Sequence, residues 1–344
     1  MKAITYPNIS LAANLKTGGN TGVYQNVVQK GNVGSSYVYA MQLHKKLDSK
    51  TNKKVELNSV LRAVPKASPS TPITYGSAIL NMKDLACSHS QTWEYAGRKG
   101  EWFIGTKGVK TDPGSKYKWA TQVARVSMPP DKTTYTKNTQ LPRLSHLDQA
   151  GGFNINLKRS EAAISPNHMY FLIATIDLNN NGYFSLYRLT DINNALDEYG
   201  TTACSITNLQ PVIEYPAFSI SNMAGIGGLI GSIQGYDIDD DCNIYISSET
   251  PPSEGSSSEP RHIYKIPWGA DATQQYTWTD INLINNTNVD YKGYATEFES
   301  VQVIDENHLY LTVAYHGYYY KKNSKGKKIK TWGTINNRIY EIQW

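Results

Sequence analysis

The chain has 344 residues, with 34 Lys and Arg against 29 Asp and Glu, 25 tyrosines but only 6 phenylalanines, and 3 cysteines. No apolar run approaches the roughly 20 residues of a membrane span, and the longest, around Met169–Ile176 and Met223–Ile233, point to a soluble protein without a transmembrane segment. The N-terminus lacks a charged start, an apolar run and a small-residue cleavage site, so no ordinary signal peptide is read. Cys87, Cys204 and Cys242 show neither CxxC spacing nor an even count, which argues against a disulfide framework and against zinc.

Taken from the N-terminus, the chain repeats one paragraph. Short runs alternate polar and apolar residues and are bounded by Asp, Asn, Ser, Gly and Pro, the pattern of short antiparallel strands. The first copy runs Gln25–Gln29, a Gly31–Gly34 turn, Tyr37–Leu43 and Lys54–Leu57. The second runs Gln91–Tyr95, Gly97–Gly100, Glu101–Gly105 and Ala120–Val126. Glu161–Ser165, Met169–Thr175 and Gly182–Leu189 form the third. The clearest copies are the last two: Gln234–Ile238, Asn243–Ser247 and His262–Ile266, then Glu299–Val303, His308–Val313 and Arg338–Ile342. The opening Gln or Glu stands at 25, 91, 161, 234 and 299, a spacing of 65 to 73 residues. Five such units predict an all-β chain folded as one five-bladed β-propeller over residues 1–344, closed by pairing of the terminal segments. The competing architecture is a large β-sandwich. The Pro-rich stretches Pro65–Pro72 and Pro251–Ser258 fall inside copies and divide nothing.

Three local features interrupt the strands. Asp191–Tyr199 has an Asp that could cap and helical spacing of Ile192, Leu196 and Tyr199, so a helix is predicted there. Gly225–Gly231 lacks the Lys-Ser/Thr of a phosphate loop and reads as a flexible connection. Asp237, Asp239 and Asp241 have the spacing of a calcium loop, but Cys242 stands where Gly is needed and Ser248 where Glu is needed. A structural turn is the better reading. No metal or other cofactor is predicted.

Charge gathers at the ends. Met1–Leu47 holds five lysines and no acid, and His316–Gly333 holds six, Lys321, Lys322, Lys325, Lys327, Lys328 and Lys330, again without an acid. A closed propeller would bring both segments to one edge, with Tyr318–Tyr320 and Trp332 interleaved. Such a patch favours teichoic acid or phospholipid headgroups. Nucleic acid is not expected, since no recognition fold accompanies the patch and the remaining chain is acidic.

In a propeller the first strand of each blade lines the central channel. Gln25, Gln91, Glu161, Gln234 and Glu299 are therefore candidates for a polar ring, with Trp93 and Tyr236 two residues further on. Amides and carboxylates beside aromatic rings suit a sugar. Glu161 and Glu299, with Glu297 on the same face, are the carboxylates a glycosidase would need. The motifs of serine, zinc and cysteine hydrolases are absent from the sequence, and no histidine stands out as a base.

Several of these stretches also carry a resemblance. Val27–Gly34, Gln91–Glu94, Gly100–Gly105, Ser160–Pro166, Ser232–Asp237, Asn243–Ser248 and Tyr310–His316 resemble the helveticin J family, large heat-labile bacteriocins of lactobacilli. The resemblance runs from about residue 20 to the C-terminus. It implies an exported protein, without a recognisable signal peptide, that kills related Gram-positive bacteria. It supplies no catalytic residue. Cys242 replaces a Gly of the family's acidic turn, and the lysine loop after His316 looks longer and more basic. The leading expectation is a secreted bacteriocin that binds envelope glycan or teichoic acid. Its rivals are a cell-wall glycosidase using Glu161 or Glu299 and a non-lethal adhesin or lectin.

Overall fold

The computed structural model describes residues 1–16, 26–47, 54–111, 117–128, 133–254, 260–322 and 326–344. Five antiparallel sheets succeed one another along the chain as the blades of a propeller. Blade 1 is built from Val28–Val33, Val38–Leu47, Lys54–Ala63 and Leu80–Lys83, running from axis to rim. Blade 2 uses Trp93–Tyr95, Glu101–Thr106, Gln122–Ser127 and Arg143–Ser145; blade 3 uses Leu157–Ile164, Tyr170–Asp177, Gly182–Arg188 and Phe218–Ile220. Ile233–Ile238, Ile244–Ser248, His262–Ile266 and Thr279–Asn282 form blade 4. Blade 5 takes Ala295–Asp305, His308–Lys322 and Lys328–Gln343 from the end of the chain and its fourth strand, Asn8–Lys16, from the beginning.

Stacking blade on blade buries both faces of each sheet, so five apolar clusters sit at the five interfaces. Met41, Val60 and Leu80 of blade 1 meet Trp93, Trp102 and Ile104 of blade 2, and Ile246 and Trp278 of blade 4 pack with Leu172 and Leu186 of blade 3. Burial on both faces explains why the second strand of blade 3 is covered at every position and reads as a nearly unbroken apolar run. Each buried Leu, Ile or Phe contributes about 1.5–3 kcal/mol. Near the axis the blades touch through backbone. A Cβ on Gly235 would fall 2.4 Å from Cα of Ser300 in the next blade.

The rim carries a further device. The connection between the third and fourth strands of one blade sends a short parallel strand onto the outer edge of the blade before it. Thr133–Tyr135 of blade 2 joins blade 1, Ala203–Ser205 of blade 3 joins blade 2, Lys2–Ile4 joins blade 4, and Pro72–Thr74 joins blade 5. These additions cover edges that would otherwise be open to pairing. Blade 3 has no such strand among the described residues. There the corresponding connection of blade 4 lays Trp268 against Phe218, and its Nε1 donates to the Pro216 carbonyl at 2.9 Å. The predicted helix forms as Leu189–Tyr199, two residues earlier than its Asp suggested. Asp191 lies in its first turn and caps nothing. All three cysteines are buried and unpaired.

Candidate functional site

The mouth of the channel lies where the innermost strands begin. In four of the five, the pairing register slips where a polar side chain meets the axis: between Val28 and Lys30, Leu157 and Arg159, Ile233 and Gly235, and Phe298 and Val301. A bulge re-aims the side chains on either side of it. Gln29 takes a channel position in blade 1, and Gln25, the expected ring member at the opening of this repeat, lies outside the described residues.

The expected ring forms in part. Gln91 Nε2 donates to Gln29 Oε1 at 3.1 Å, and Gln29 Nε2 reaches Glu299 Oε1 at 3.5 Å. Arg159 ties the ring together: Nε lies 3.1 Å from Glu161 Oε1, one terminal nitrogen donates to Gln91 Oε1, and the other reaches the Ile233 carbonyl at 2.9 Å. Gln234 also lines the cavity above, but its Nε2 donates to the Glu249 carbonyl at 2.7 Å and to Ser232 Oγ at 3.1 Å. The two candidate carboxylates part company here. Glu161 Oε2 accepts from Ser90 Oγ at 2.8 Å, Gln91 N at 3.0 Å and Thr92 Oγ1 at 2.7 Å, so Glu161 latches blade 3 to blade 2. Its lone pairs are occupied. Glu299 is 1 % exposed, and its Oε2 has no hydrogen-bond partner. Burial, and then the neighbouring Glu297, push its carboxyl well above the usual range.

Further down the axis a second layer closes the channel. Lys30, fully buried, lies 2.7 Å from Glu94 and 3.6 Å from Asp237 and donates to the Val301 carbonyl at 2.6 Å. The DxDxD stretch is thereby accounted for. Asp237 serves this cluster, and Asp239 accepts from Asn243 and Tyr245 and lies 3.4 Å from Lys265. Among the described residues no group of three or more His, Cys, Asp or Glu is placed to hold a metal ion.

Above the ring opens a cavity of about 1230 Å³, floored by Gln29, Arg159 and Glu299. Blade 2 supplies one wall with His89, Tyr117 and Trp119; the Arg159 guanidinium stacks 4.4 Å over the Trp119 ring, and His89 packs edge-on against Tyr117 at 4.5 Å. Burial and the charge of Arg159 lower the His89 pKa to about 3, so its ring is neutral. Blade 5 supplies Glu297, His316 and Trp332, with His316 Nε2 2.7 Å from Glu297 Oε2. The Gly225–Gly231 connection and Pro251, Pro252 and Pro260 of blade 4 complete the rim. Of the two expected aromatics, Trp93 is fully buried, stacked on Trp102 at 4.8 Å in the interface of blades 1 and 2. Tyr236 is buried beneath the floor, 5.8 Å from the Arg159 guanidinium. Trp119, Tyr117 and Trp332 line the cavity instead. Sequence reasoning passed over Arg159, although it sits one residue ahead of the quoted Ser160-Glu161 motif. Trp119 comes from a loop that no strand pattern marks.

The basic patch also differs from expectation. Lys30 is at the core, Lys2 lies on the outer edge of blade 4, and Lys45 lies 3.8 Å from Glu56 on the long hairpin of blade 1. Lys16, by contrast, ends the fourth strand of blade 5, the blade that carries the C-terminal lysines, so the N-terminal lysines are dispersed over several blades. The C-terminal group does stay together, on a two-stranded ribbon that extends blade 5 past the cavity. Tyr318 pairs with Trp332 and Tyr320 with Lys330, which places these four on one face. Lys330 lies 3.7 Å from the centre of the Tyr318 ring and Lys328 4.6 Å from that of Tyr320. Lys321 and Lys327 lie on the same ribbon; Lys325 and the side chain of Lys322 are outside the described residues. The face that carries Trp332 is continuous with the cavity wall.

Fold and site define a five-bladed propeller with an aromatic-walled cavity above a closed channel. The family model described as bacteriocin helveticin-J matches residues 5–344, and bacteriocin helveticin-J of Lactobacillus helveticus is 40 % identical over 338 residues, covering 93 % of each chain. The chain belongs to the helveticin-J family. Among solved structures, an α-L-arabinofuranosidase from Podospora anserina in complex with cellotriose is similar with a TM-score of 0.44 and 10 % identity, over 96 % of this chain and 95 % of that one. The WD40 domain of a Toxoplasma gondii coronin has a TM-score of 0.37 and 8 % identity, over 98 % and 85 %. Among the described residues no helix is long and apolar enough to cross a membrane.

Proposed function

We propose that this protein is a secreted bacteriocin that kills related Gram-positive bacteria after binding the glycan or teichoic acid of their envelope at the mouth of the propeller. The observation that carries the reading is the cavity. Its floor offers amide, guanidinium and carboxyl hydrogen-bonding groups, and its walls carry the Trp119 and Trp332 rings, apolar surface suited to a sugar. The lysine ribbon beside it adds positive charge where an anionic polymer would continue out of the cavity. Membership in the helveticin-J family supports the antibacterial part of the reading.

The test is retention on isolated walls of a related lactobacillus, with viable counts taken in parallel. Wild-type protein is expected to pellet with the walls, to be displaced by soluble wall polysaccharide, and to lose at least about tenfold in retention on Trp119→Ala. Retention unaffected by both the competitor and Trp119→Ala would sink the assignment of the cavity as the binding site.

A further inference from the structure

We propose that the mouth of the propeller docks on an anionic lipid bilayer, with Ile226 entering the headgroup layer as an apolar anchor and the lysine ribbon gripping lipid phosphates beside it. The proposal goes beyond the reading of the cavity as a glycan site and stands on different residues. Its starting point is the Gly225–Gly231 connection, which the sequence marks as flexible. It is pinned instead. Gly225 N donates to the Gly231 carbonyl at 2.9 Å, Gly228 N to the Gly225 carbonyl at 3.0 Å, and Leu229 N to the Asn222 carbonyl at 2.9 Å. Leu229 and Ile230 turn onto the apolar interface of blades 3 and 4. Ile226 does the opposite and stands fully exposed. It is flanked by Gly225 at φ +85° and Gly227 at φ +77°, a backbone that any other side chain would strain. The loop thus uses glycine on both sides to hold one isoleucine in water. No charged residue lies between Pro216 and Tyr236, so nothing adjoining Ile226 in sequence resists entry into an apolar layer.

One exposed aliphatic side chain is ordinary on a protein surface. This one shares a rim with the ribbon, since Ile226 and Trp332 line the same cavity. The ribbon face that carries Trp332 also carries Tyr318, Tyr320, Lys328 and Lys330, all four exposed. Rings with a polar tip suit the boundary between headgroups and acyl chains, and ammonium groups suit the phosphates above it. Glu254 meets this face, its Oε1 accepting from the Tyr318 hydroxyl at 2.8 Å. The ribbon strands themselves contribute no acid from Asn307 to Tyr340.

Charge complementarity and the apolar anchor together select the occupant. A protein partner would have to present a socket for Ile226 and a strip of acids for the ribbon at one fixed spacing. Teichoic acid offers phosphates without an apolar layer. A bilayer rich in anionic lipid offers both across its whole surface, and its interface favours apolar and cationic groups together.

The experiment uses full-length protein, sedimented with vesicles of phosphatidylcholine alone or of phosphatidylcholine and phosphatidylglycerol in equal parts. Wild type is expected to sediment with the anionic vesicles and to stay in solution with the neutral ones. Ile226→Ser alters a fully exposed side chain, so it is expected to melt with wild type and to bind at least about tenfold more weakly. Ile226→Trp is expected to restore binding. Ile226→Cys carrying a polarity-sensitive dye reports the anchor directly, because the three native cysteines are buried. Its emission is expected to shift to the blue on anionic vesicles. Protein that is retained on isolated walls but ignores anionic vesicles would overturn the bilayer proposal and leave the cavity reading standing. Binding that high salt abolishes, that Ile226→Ser leaves unchanged and that brings no dye shift would also overturn it, as the mark of a site for a soluble polyanion. Equal binding to both kinds of vesicle would overturn the part assigned to the ribbon. Anchored vesicle binding without wall retention would sustain the bilayer proposal and overturn the cavity reading.

Discussion

A single residue type does three different jobs at this propeller's axis, and its surroundings decide which. Glu161 is a latch, Glu299 a buried acid reached only by side-chain amides, and Glu94 one of two carboxylates facing a single ammonium. In that last cluster burial raises the carboxyl of Asp237 too, opposed by Lys30 and by backbone N–H bonds it accepts from Val303 and Ile238 at 2.8 and 2.9 Å. Glu94 lacks them, and burial raises its pKa to about 8 in spite of Lys30. In the unfolded chain a Glu titrates near ~4.3. Between these values the folded protein holds a proton that the unfolded chain has released. Stability from this group is therefore fully present below the lower value and is lost as pH rises toward the upper one. Urea midpoints measured from about pH 5 to about pH 8 are expected to fall, and Glu94→Gln is expected to flatten the slope. A midpoint that climbs across that range would contradict the assignment of the proton. Sequence alone named Glu161 and Glu299 because they open their repeats, but it could not separate them. What separates them is Ser90, Gln91 and Thr92 from another blade, some 70 positions away.

At the scale of the strand and the hairpin, the period-2 pattern located nearly every long strand, because each blade buries alternate residues on two faces. It failed where the register slips. Gln29 sits in such a slip, where a bulge changes which face a side chain takes, whereas Trp93, on the inner strand that pairs without one, went to an interface. The three-residue rim strands were also invisible, since so short a segment has no period to detect. The lysine ribbon was legible as a charge run and survives as an element, with Tyr318 43 % and Tyr320 59 % exposed on its aromatic face. An anionic surface rewards each nearby lysine by about 1 kcal/mol. Lys328→Gln combined with Lys330→Gln is then expected to weaken wall retention roughly 30-fold at low salt, and to converge with wild type at high salt. Equal salt dependence in the double variant and wild type would remove the ribbon from the binding surface.

For the molecule as a whole, five repeats and closure by the chain ends were readable because a propeller repeats its solution. The occupant of each position in the ring was not. Closure rests on Asn8–Lys16, paired with Asn337–Gln343 on one side and with Pro72–Thr74 on the other. Removing Met1–Lys16 strips the fourth strand from blade 5 and the rim strand from blade 4, exposing Ile339, Tyr340 and Ile342 at a raw edge. The truncated chain is expected to lose its single cooperative melting transition and to aggregate, as followed by circular dichroism and light scattering. A truncated chain that melts cooperatively near the wild-type temperature would show that the ring does not need its clasp.

That clasp also sets a timetable. Ser10 pairs with Glu341, so one strand must wait during synthesis for another made 331 residues later. Loop closure over so many residues is slow, and blades 1 to 4 can assemble beforehand only as an open arc. Until the strand Lys328–Gln343 has left the ribosome, the nascent chain carries an unclosed seam on which a chaperone or an export factor could act.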